Sequence, residues 1–297
     1  MYEKIVVTLD GSKASETALP YAEQIAASQE SEIVLVSVSQ SVPGEIVSEN
    51  LYESYLRLTR DRVRDGVRGL RSDRDVTVTT EVLAGDPADE VIRHAEKVNA
   101  SLIVMASRGA SGHGPWLLGS IAAKVLRATT RPLLLVRSAR ADLPTRQDSL
   151  IKRILVPLDG SPVGAAAIPY TEALALALDA EIVLLHAVQP AALAFAFPET
   201  GTPMQIVGNE SSKTAAASYL DGIKKELVKK GLKVSATVVT GSAPDQIIDY
   251  ANANAVSLIA MSSHGRTGFG RWVFGSVTDK ILHAGDTPVL VVRGAKN

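Results

Sequence analysis

The chain has 297 residues, a length that suits two domains of ordinary size or one large domain. Its 31 basic and 32 acidic residues give a net charge of −1, so no overall electrostatic field favours binding to nucleic acid or to an anionic membrane. It contains no cysteine, which excludes disulfide bonds, thiolate metal sites and cysteine catalysis.

The first residues, MYEKIVVTLDGS, have no basic head before an apolar stretch. No run of about 18 uncharged apolar residues occurs anywhere in the sequence. We therefore expect neither a secretion signal nor a membrane-spanning helix, and we expect a cytoplasmic protein.

The sequence contains two similar halves. Lys4–Gln40 aligns without gaps with Arg153–Gln189, and more than two fifths of the positions are identical. Ser101–Arg137 aligns in the same way with Ser257–Arg293, with nearly half of the positions identical. Such repeats indicate two copies of one structural unit. The second copy has a longer middle segment, whose extra residues fall near Pro190–Thr214, an irregular loop by composition.

The repeat predicts the domain boundaries. We expect a first domain at 1–138, a linker at 139–150 and a second domain at 151–297. The predicted linker, ARADLPTRQDSL, is polar and contains a proline. Each predicted domain has an ordinary size.

Short apolar runs alternate with amphipathic segments in each copy, which predicts parallel strands joined by helices. The third helix of copy one should begin at Asp86, with Pro87 in its first turn, and copy two repeats this signal at Ser242 and Pro244. The strands predicted for copy one are Lys4–Leu9, Glu32–Ser39, Val76–Val82, Ser101–Ala106 and Pro132–Arg137.

Five strands and four helical crossovers per copy predict an α/β fold of two tandem, doubly wound domains. Each domain should contain a five-stranded, mainly parallel sheet flanked by helices. Ligands of such sheets bind outside the carboxyl ends of the strands, where the strand order reverses. The loops after the first and fourth strands are therefore the candidate binding loops.

A glycine-rich loop follows the fourth strand in both copies. Copy one has MASRGASGHGPWLLGSIAAKVL and copy two has MSSHGRTGFGRWVFGSVTDKIL. Glycine lets backbone amides point into one concavity, and each Gly-Ser pair falls where the fourth helix should begin. Amides, the helix dipole and a serine hydroxyl can then converge on an anion. We expect this anion to be phosphate, with Arg108 and Arg266 as further positive charges.

The spacing of these glycines resembles the ATP-binding motif of the universal stress protein family, G-x2-G-x9-G-[S/T]. Gly265 and Gly275-Ser276 match it in copy two, and Gly109 and Gly119-Ser120 match it in copy one. The resemblance covers nearly the whole chain. It implies a Rossmann-like fold of the adenine nucleotide alpha hydrolase type, with ATP as the ligand.

Both copies depart from the motif at its first glycine. This position is Ala106 in copy one and Ser262 in copy two. Both residues are small, so a nucleotide can still approach closely, but a positive φ at either position would be strained.

The loop after the first strand contains an aspartate in both copies, Asp10 and Asp159, within the shared sequence LDGS. The resemblance implies that this aspartate contacts the nucleoside. It also implies that Val38 and Ala187, at the end of the second strand, line the base pocket through their backbone. The alternative is a turn without a binding role, since Asp-Gly-Ser is strong turn chemistry.

The resemblance, carried over residue by residue, gives the candidate nucleotide-binding positions. Copy two is the better candidate, because it has the family's proline at Pro157 where copy one has Thr8. No catalytic residue and no metal ligand is expected. The candidates are Thr8, Asp10, Val38, Ala106, Arg108, Gly109, Gly119, Ser120, Ile121, Pro157, Asp159, Ala187, Met261, Ser262, Gly265, Arg266, Gly275, Ser276 and Val277.

Four histidines have no partner at metal-ligand spacing, and we interpret them as surface residues or as hydrogen-bonded polar residues. They are His94, His113, His186 and His283.

The leading functional hypothesis is a cytoplasmic, ATP-binding stress-response module. The chain lacks the phosphate-loop lysine motif, the dinucleotide fingerprint and the nucleophile elbow. Bound ATP, with or without Mg²⁺, would order the glycine-rich loop and alter a surface seen by a protein partner, with little or slow turnover. Two alternatives stay open: a slow ATPase or autophosphorylating protein that uses Ser120, Ser276 or a neighbouring hydroxyl, and a stress scaffold without nucleotide.

The resemblance also implies how the two copies associate. The segments Pro132–Arg137 and Pro288–Arg293 should lie at sheet edges and pair across a two-fold axis. The two copies would then form a pseudo-dimer within one chain, and a homodimer of whole chains stays open. We expect no nucleic-acid partner and no membrane partner.

Overall fold

Copy one alternates strands and helices in the predicted order. The computed structural model describes residues 1–39, 49–71, 76–109, 118–137, 149–189, 208–263 and 275–294. The centres of both glycine-rich loops, most of the predicted linker and most of the Pro190–Thr214 segment lie outside these ranges. The elements of copy one are β1 (Lys4–Thr8), α1 (Lys13–Glu16), α2 (Leu19–Gln29), β2 (Glu32–Ser39), α3 (Glu49–Leu70), β3 (Val78–Ala84), α4 (Pro87–Lys97), β4 (Leu102–Ala106), α5 (Ser120–Ala128) and β5 (Leu133–Val136).

Copy two repeats this order, with a 3-10 turn at Gly164–Ala167 in place of the short helix α1. None of the helices within the described ranges is both long enough and apolar enough to cross a bilayer. The elements of copy two are β6 (Arg153–Pro157), α6 (Ile168–Leu178), β7 (Glu181–Val188), α7 (Gly208–Lys229), β8 (Val234–Thr240), α8 (Ala243–Ala253), β9 (Leu258–Ser262), α9 (Ser276–Ala284) and β10 (Val289–Val292).

The third strand of copy one lies later than the sequence predicts, at Val78–Ala84 rather than at Val76–Val82. It pairs in parallel with β2 up to the pair formed by Ser39 and Ala84. The amide of Gly85 then donates to the Ser39 carbonyl oxygen at 3.1 Å. The end of β2 therefore sets the end of β3, and the sequence of β3 by itself does not predict where the strand ends.

The ten strands form one sheet in the order β3-β2-β1-β4-β5-β10-β9-β6-β7-β8. Each half of this order reads third, second, first, fourth and fifth strand, which is the predicted doubly wound arrangement. The two fifth strands meet at the centre and pair antiparallel, with Leu134 opposite Leu290. The other strand pairs of the described sheet are parallel. The two copies are thus joined edge to edge within one chain.

Both faces of the sheet are covered by apolar side chains, as expected for parallel strands with continuous apolar runs. Successive residues of a strand point to opposite faces, and Val6 and Val7 accordingly belong to different core clusters. Each cluster contains residues of both copies. The core therefore continues across the junction of β5 with β10 on both faces.

The copies also meet through the helices on one face. The Tyr2 hydroxyl donates to the Tyr170 carbonyl oxygen at 3.0 Å, and the two rings pack edge to face with centroids 6.3 Å apart. The side chain of Gln24 in α2 donates to Ser149 Oγ at 3.0 Å and accepts from the Ile151 amide at 3.2 Å. The start of copy two is therefore held against a helix of copy one.

The predicted N-cap at Asp86 is confirmed. Its Oδ1 accepts hydrogen bonds from the amides of Ala88 at 3.0 Å and Asp89 at 3.1 Å. Ser242 occupies the same position in copy two, but its side chain makes no capping hydrogen bond. The repeated sequence signal therefore gives a side-chain cap in copy one alone.

His94 is buried in copy one, which corrects its interpretation as a surface or hydrogen-bonded residue. It lies in α4, is 3% exposed, and its buried Nε2 has no hydrogen-bond partner within the described part of the chain. Burial lowers the pKa of His94 below its ordinary value, Lys97 and Arg93 act in the same direction, and Glu81 and Glu90 oppose them. Folding therefore favours the neutral imidazole.

We expect acidification to destabilise the protein through His94. An unfolded histidine binds protons near its ordinary pKa of about 6.5, whereas the folded one does so only at lower pH. The unfolded state then binds more protons, so the free energy of unfolding falls as the pH drops below about 6.5. The variant His94→Tyr, which introduces the residue found at the aligned Tyr250 of copy two, should lose this part of the pH dependence in urea unfolding measured at several pH values. An identical pH profile in both proteins would contradict the assignment.

The junction between the copies should be sensitive to loss of apolar volume. Leu134 lies in the antiparallel pair and is 1% exposed, so Leu134→Ala is expected to lower the free energy of unfolding by about 3 kcal/mol. Leu176 in α6 is 52% exposed, and Leu176→Ala should change it by less than about 0.5 kcal/mol. Urea unfolding compares the two, and equal losses would argue against a continuous core at the junction.

Candidate functional site

A cleft of about 870 Å³ opens at the carboxyl ends of the strands of copy two. It lies between the ends of β6, β7 and β9, the start of α9, and side chains of α7 and α8. This is the location that a doubly wound sheet predicts for a ligand. Every candidate residue of copy two that lies in the described ranges lines this cleft: Pro157, Asp159, Ala187, Met261, Ser262, Gly275, Ser276 and Val277. Gly265 and Arg266 lie outside the described residues.

The aspartate after the first strand forms a turn in both copies. Asp10 Oδ1 accepts from Ser12 N at 3.0 Å and from Ser12 Oγ at 2.6 Å. Asp159 Oδ1 accepts in the same way from Ser161, at 2.9 Å and 2.7 Å. The intervening glycine has a φ of +83° in each copy, which favours glycine. One carboxylate oxygen of each aspartate, Oδ1, is therefore used to form the turn. The turn holds the aspartate at the edge of the sheet.

The two candidate loops of copy one touch each other. A Cβ atom at Gly109, after β4, would lie 2.2 Å from Asp10 Oδ2. A side chain at Gly109 would therefore have to displace the Asp10 carboxylate from its present position. The contact brings the second motif glycine and the aspartate of the first loop together.

The third motif glycine, Gly119 or Gly275, holds the start of the following helix, α5 or α9, against the end of β4 or β9. The Gly119 amide donates to Ser107 O at 2.8 Å, and the Gly275 amide donates to Ser263 O at 3.0 Å. Each glycine amide is thus used within the protein. These glycines contribute to the site by fixing the helix start rather than by donating to an anion.

In each copy the three amides that follow this glycine have no acceptor within the helix. The first intrahelical bonds run from Ala123 N to Gly119 O at 2.8 Å and from Asp279 N to Gly275 O at 3.0 Å. Amides before these residues precede the hydrogen-bond ladder and have no acceptor within the helix. They belong to Ser120, Ile121 and Ala122 in copy one, and to Ser276, Val277 and Thr278 in copy two. Together with the positive end of the helix dipole they favour an anion.

The departure from the first motif glycine introduces no backbone strain. Ala106 and Ser262 are the last residues of β4 and β9, in register with Val136 and Val292 respectively. Neither has a positive φ. A small residue in extended conformation meets the local requirement, so glycine is not needed there.

Histidine and tyrosine form one wall of the cleft, and neither is among the candidate residues predicted from the sequence. His186 of β7 and Tyr219 of α7 both line the cleft, with ring centroids 6.3 Å apart and an interplanar angle of 76°. His186 is interpreted from the sequence as a surface or hydrogen-bonded polar residue, and the structure places it, half-buried, in the cleft wall. Its position one residue before Ala187, at a strand end that the resemblance already implicated, is the signal that could have identified it.

The corresponding position of copy one is different. His186 aligns with Ser37, which is buried and whose hydroxyl donates to Leu9 O at 2.7 Å. The two copies thus share the loops but differ in the wall beside the second strand.

The remaining copy-one candidates lie at the equivalent edge of the sheet. Thr8 ends β1 and is paired with Val36 of β2, and Val38 lies near the end of β2. Arg108 directly follows Ser107, and Ile121 is 40% exposed at the start of α5.

Charged groups are sparse in the described lining of the copy-two cleft. Asp159 is the one acidic residue among the described lining residues, and these include no lysine or arginine. The described residues also contain no group of three or more His, Asp or Glu side chains that could hold a metal ion. Binding of an anion at the described surface therefore depends on backbone amides.

We expect Gly119→Ala and Gly69→Ala to have opposite effects on stability. A Cβ atom at Gly119 would lie 3.2 Å from Ser107 O, and displacing the helix start should cost about 1 kcal/mol. Gly69 lies in α3 with nothing within 4 Å of an added Cβ, so alanine there should add about 0.5–1 kcal/mol. Thermal or urea unfolding measures both, and a neutral Gly119→Ala variant would show that the helix start is not fixed tightly.

Comparisons with known proteins identify relatives of the whole chain and of single copies. The model of the universal stress protein family matches residues 1–137 and 150–293. A universal stress protein of Mycolicibacterium smegmatis is 25% identical over 297 residues, covering 97% of this chain and 96% of the relative. One from Methanocaldococcus jannaschii is 32% identical over 146 residues, covering 48% of this chain and 86% of the relative.

A solved structure shares the fold over the whole length. The crystal structure of a universal stress protein from Archaeoglobus fulgidus is 21% identical, has a TM-score of 0.71 and covers 99% of both chains. The two matched segments together span most of the sequence, and the duplicated sheet agrees with them. The chain belongs to the universal stress protein family.

Proposed function

We propose that the chain is an ATP-binding regulatory module whose main site is the cleft of copy two. The observation that carries this proposal is the convergence of three features at one sheet edge: the aspartate turn after β6, the small-residue end of β9 and the open amides of α9. A cleft of about 870 Å³ is within the usual range for a small-molecule site.

The phosphates would lie at the start of α9. The amides of Ser276, Val277 and Thr278 precede the hydrogen-bond ladder, and the Ser276 hydroxyl is exposed beside them. The Thr278 hydroxyl, in contrast, donates to Ser262 O at 3.1 Å. It would hold the strand end close to the helix rather than contact the ligand.

The nucleoside would lie against the apolar and aromatic side of the cleft. This side contains Ala187, Ala216, Tyr219 and Ile247, with His186 next to Tyr219. A flat base can pack on such a wall, and Asp159 at the cleft edge is placed to accept a hydrogen bond from a ribose hydroxyl.

Binding rather than rapid turnover fits the chemistry of the described lining. Its single carboxylate, Asp159, already accepts two hydrogen bonds through Oδ1. Bound ATP would instead order the loop between β9 and α9 and so change a surface seen by a protein partner. Mg²⁺, if bound, would be held mainly by the phosphates, as is usual for this ion.

The direct test is the identity of small molecules released from the freshly purified protein. Mass spectrometry should detect ATP, and added ATP should raise the melting temperature. Absence of ATP together with no thermal shift would overturn the proposal and favour the scaffold without nucleotide. Released phosphate or a covalent label from radiolabelled ATP, above the level of a Gly119/Gly275 double variant, would favour the slow ATPase or autophosphorylating protein.

A proline substitution can test the amide donors without breaking the helix. Ser276 is the first residue of α9 and Gly275 has a ψ of 141°, so proline fits at position 276. Ser276→Pro removes the amide and the hydroxyl, whereas Ser276→Ala removes only the hydroxyl. We expect Ser276→Pro to weaken ATP binding about tenfold or more beyond Ser276→Ala, the size of a lost hydrogen bond to a charged group. Calorimetric titration measures both, and equal affinities would show that this amide does not contact the ligand.

The exact boundaries of the two domains, the cytoplasmic location and the homodimer stay predictions. The proposed binding of ATP does not depend on them, because all the described lining residues of the cleft belong to copy two.

A further inference from the structure

The central strands β5 and β10 are each followed by an arginine that reaches into the other copy. Arg137 of copy one donates to the Ile281 carbonyl oxygen at 3.0 Å, in the last turn of α9. Arg293 of copy two donates to the carbonyl oxygens of Leu126, at 3.5 Å, and Arg127, in the last turn of α5. The exchange is reciprocal, because β5 and β10 pair antiparallel at the centre of the sheet.

The two helices held in this way are the ones whose first residues form the candidate sites. Each has nine residues and is therefore about 13 Å long. One end of α9 faces the copy-two cleft through Ser276, and the other end is bonded to Arg137. The helix α5 has the same arrangement, with Ser120 at its start and Arg293 at its end.

The contact suits the charge of a helix end. Carbonyl groups of the last turn form the negative end of the helix dipole, which a cation stabilises. Ile281 O also accepts from the Gly285 amide at 3.0 Å, so Arg137 adds a second donor to this carbonyl. Burial lowers the pKa of Arg137 to about 10, and the nearby Arg108 acts in the same direction while Asp286 opposes them. Burial also lowers the pKa of Arg293. Arg137 thus stays cationic at neutral pH although it is largely removed from water.

We infer that each arginine is a positioning residue for the site of the other copy: Arg137 sets α9 for the cleft of copy two, and Arg293 sets α5 for the site of copy one. The effect on ligand affinity rests on the proposed function, whereas the effect on the helices does not. Since helix starts must be fixed to present converging amides, loosening the far end of a nine-residue helix should disturb its first turn.

Hydrogen exchange, measured without ligand, tests whether the arginines hold the helices in place. Arg137→Met should speed amide exchange in α9 about two- to fivefold, which corresponds to the stabilisation that a cation gives at a helix end. It should leave exchange in α5 unchanged. Arg293→Met should give the reverse pattern, and Arg137→Lys should restore slow exchange in part. Arg131→Met is the control, because Arg131 bonds Asn99 of its own copy. Unchanged exchange in α9 of Arg137→Met, or equal effects of one variant on both helices, would overturn the inference.

Calorimetric titration with ATP tests whether the affinity of each site depends on the arginine of the other copy. In a Ser120→Pro background, which removes the Ser120 amide and hydroxyl from copy one and leaves the start of α9 unchanged, Arg137→Met should weaken binding about two- to fivefold. Arg293→Met should have less than a twofold effect. Equal weakening by both arginine variants would overturn the inference. Failure of the Ser120→Pro protein itself to bind ATP would contradict the proposed function, and the exchange experiment would then decide on the arginines alone.

Discussion

One backbone hydrogen bond in each copy fixes the geometry on which the candidate sites depend. The amide of Gly119 or Gly275 donates to the carbonyl oxygen just after the fourth strand, Ser107 or Ser263. The bond places the start of a helix directly at the carboxyl edge of the sheet, so that the next three amides precede the ladder and face away from it. A side chain at Gly119 would press on that same carbonyl. Glycine at position 119 thus relieves a close contact, and the anion-binding potential of the helix start follows from the same packing.

The second constraint is the antiparallel pair of β5 and β10, which makes two five-stranded sheets into one. It buries two sheet edges that would otherwise be open to pairing with other chains. It also brings the ends of α5 and α9 within reach of an arginine from the other copy. Through these arginines the end of each of these two helices is bonded to the other copy, which is the physical basis of the inferred connection between the two candidate sites.

Much of this architecture could be predicted from the sequence because its signals are local and occur twice. The alternation of strands and helices, the cap at Asp86 and the starts of α5 and α9 follow from apolar periodicity and turn chemistry. The end of β3 could not be predicted, since its partner β2 sets it. Burial of His94 and the role of His186 beside Tyr219 also depend on which elements pack together. The glycine spacing correctly marked the helix start, but the acceptor of the glycine amide is visible only in three dimensions.

The two copies share a framework and differ in one wall, with His186 in copy two and a hydrogen-bonded Ser37 in copy one. In the proposed function, the first amides of α9 bind phosphate. The most direct measurement is a titration of the nitrogen-labelled protein with ATP, followed by NMR of individual amides. We expect the signals of Ser276, Val277 and Thr278 to move most, and the Gly275 amide to keep its bond to Ser263. Saturable ATP binding that leaves these three signals in place would contradict the claim.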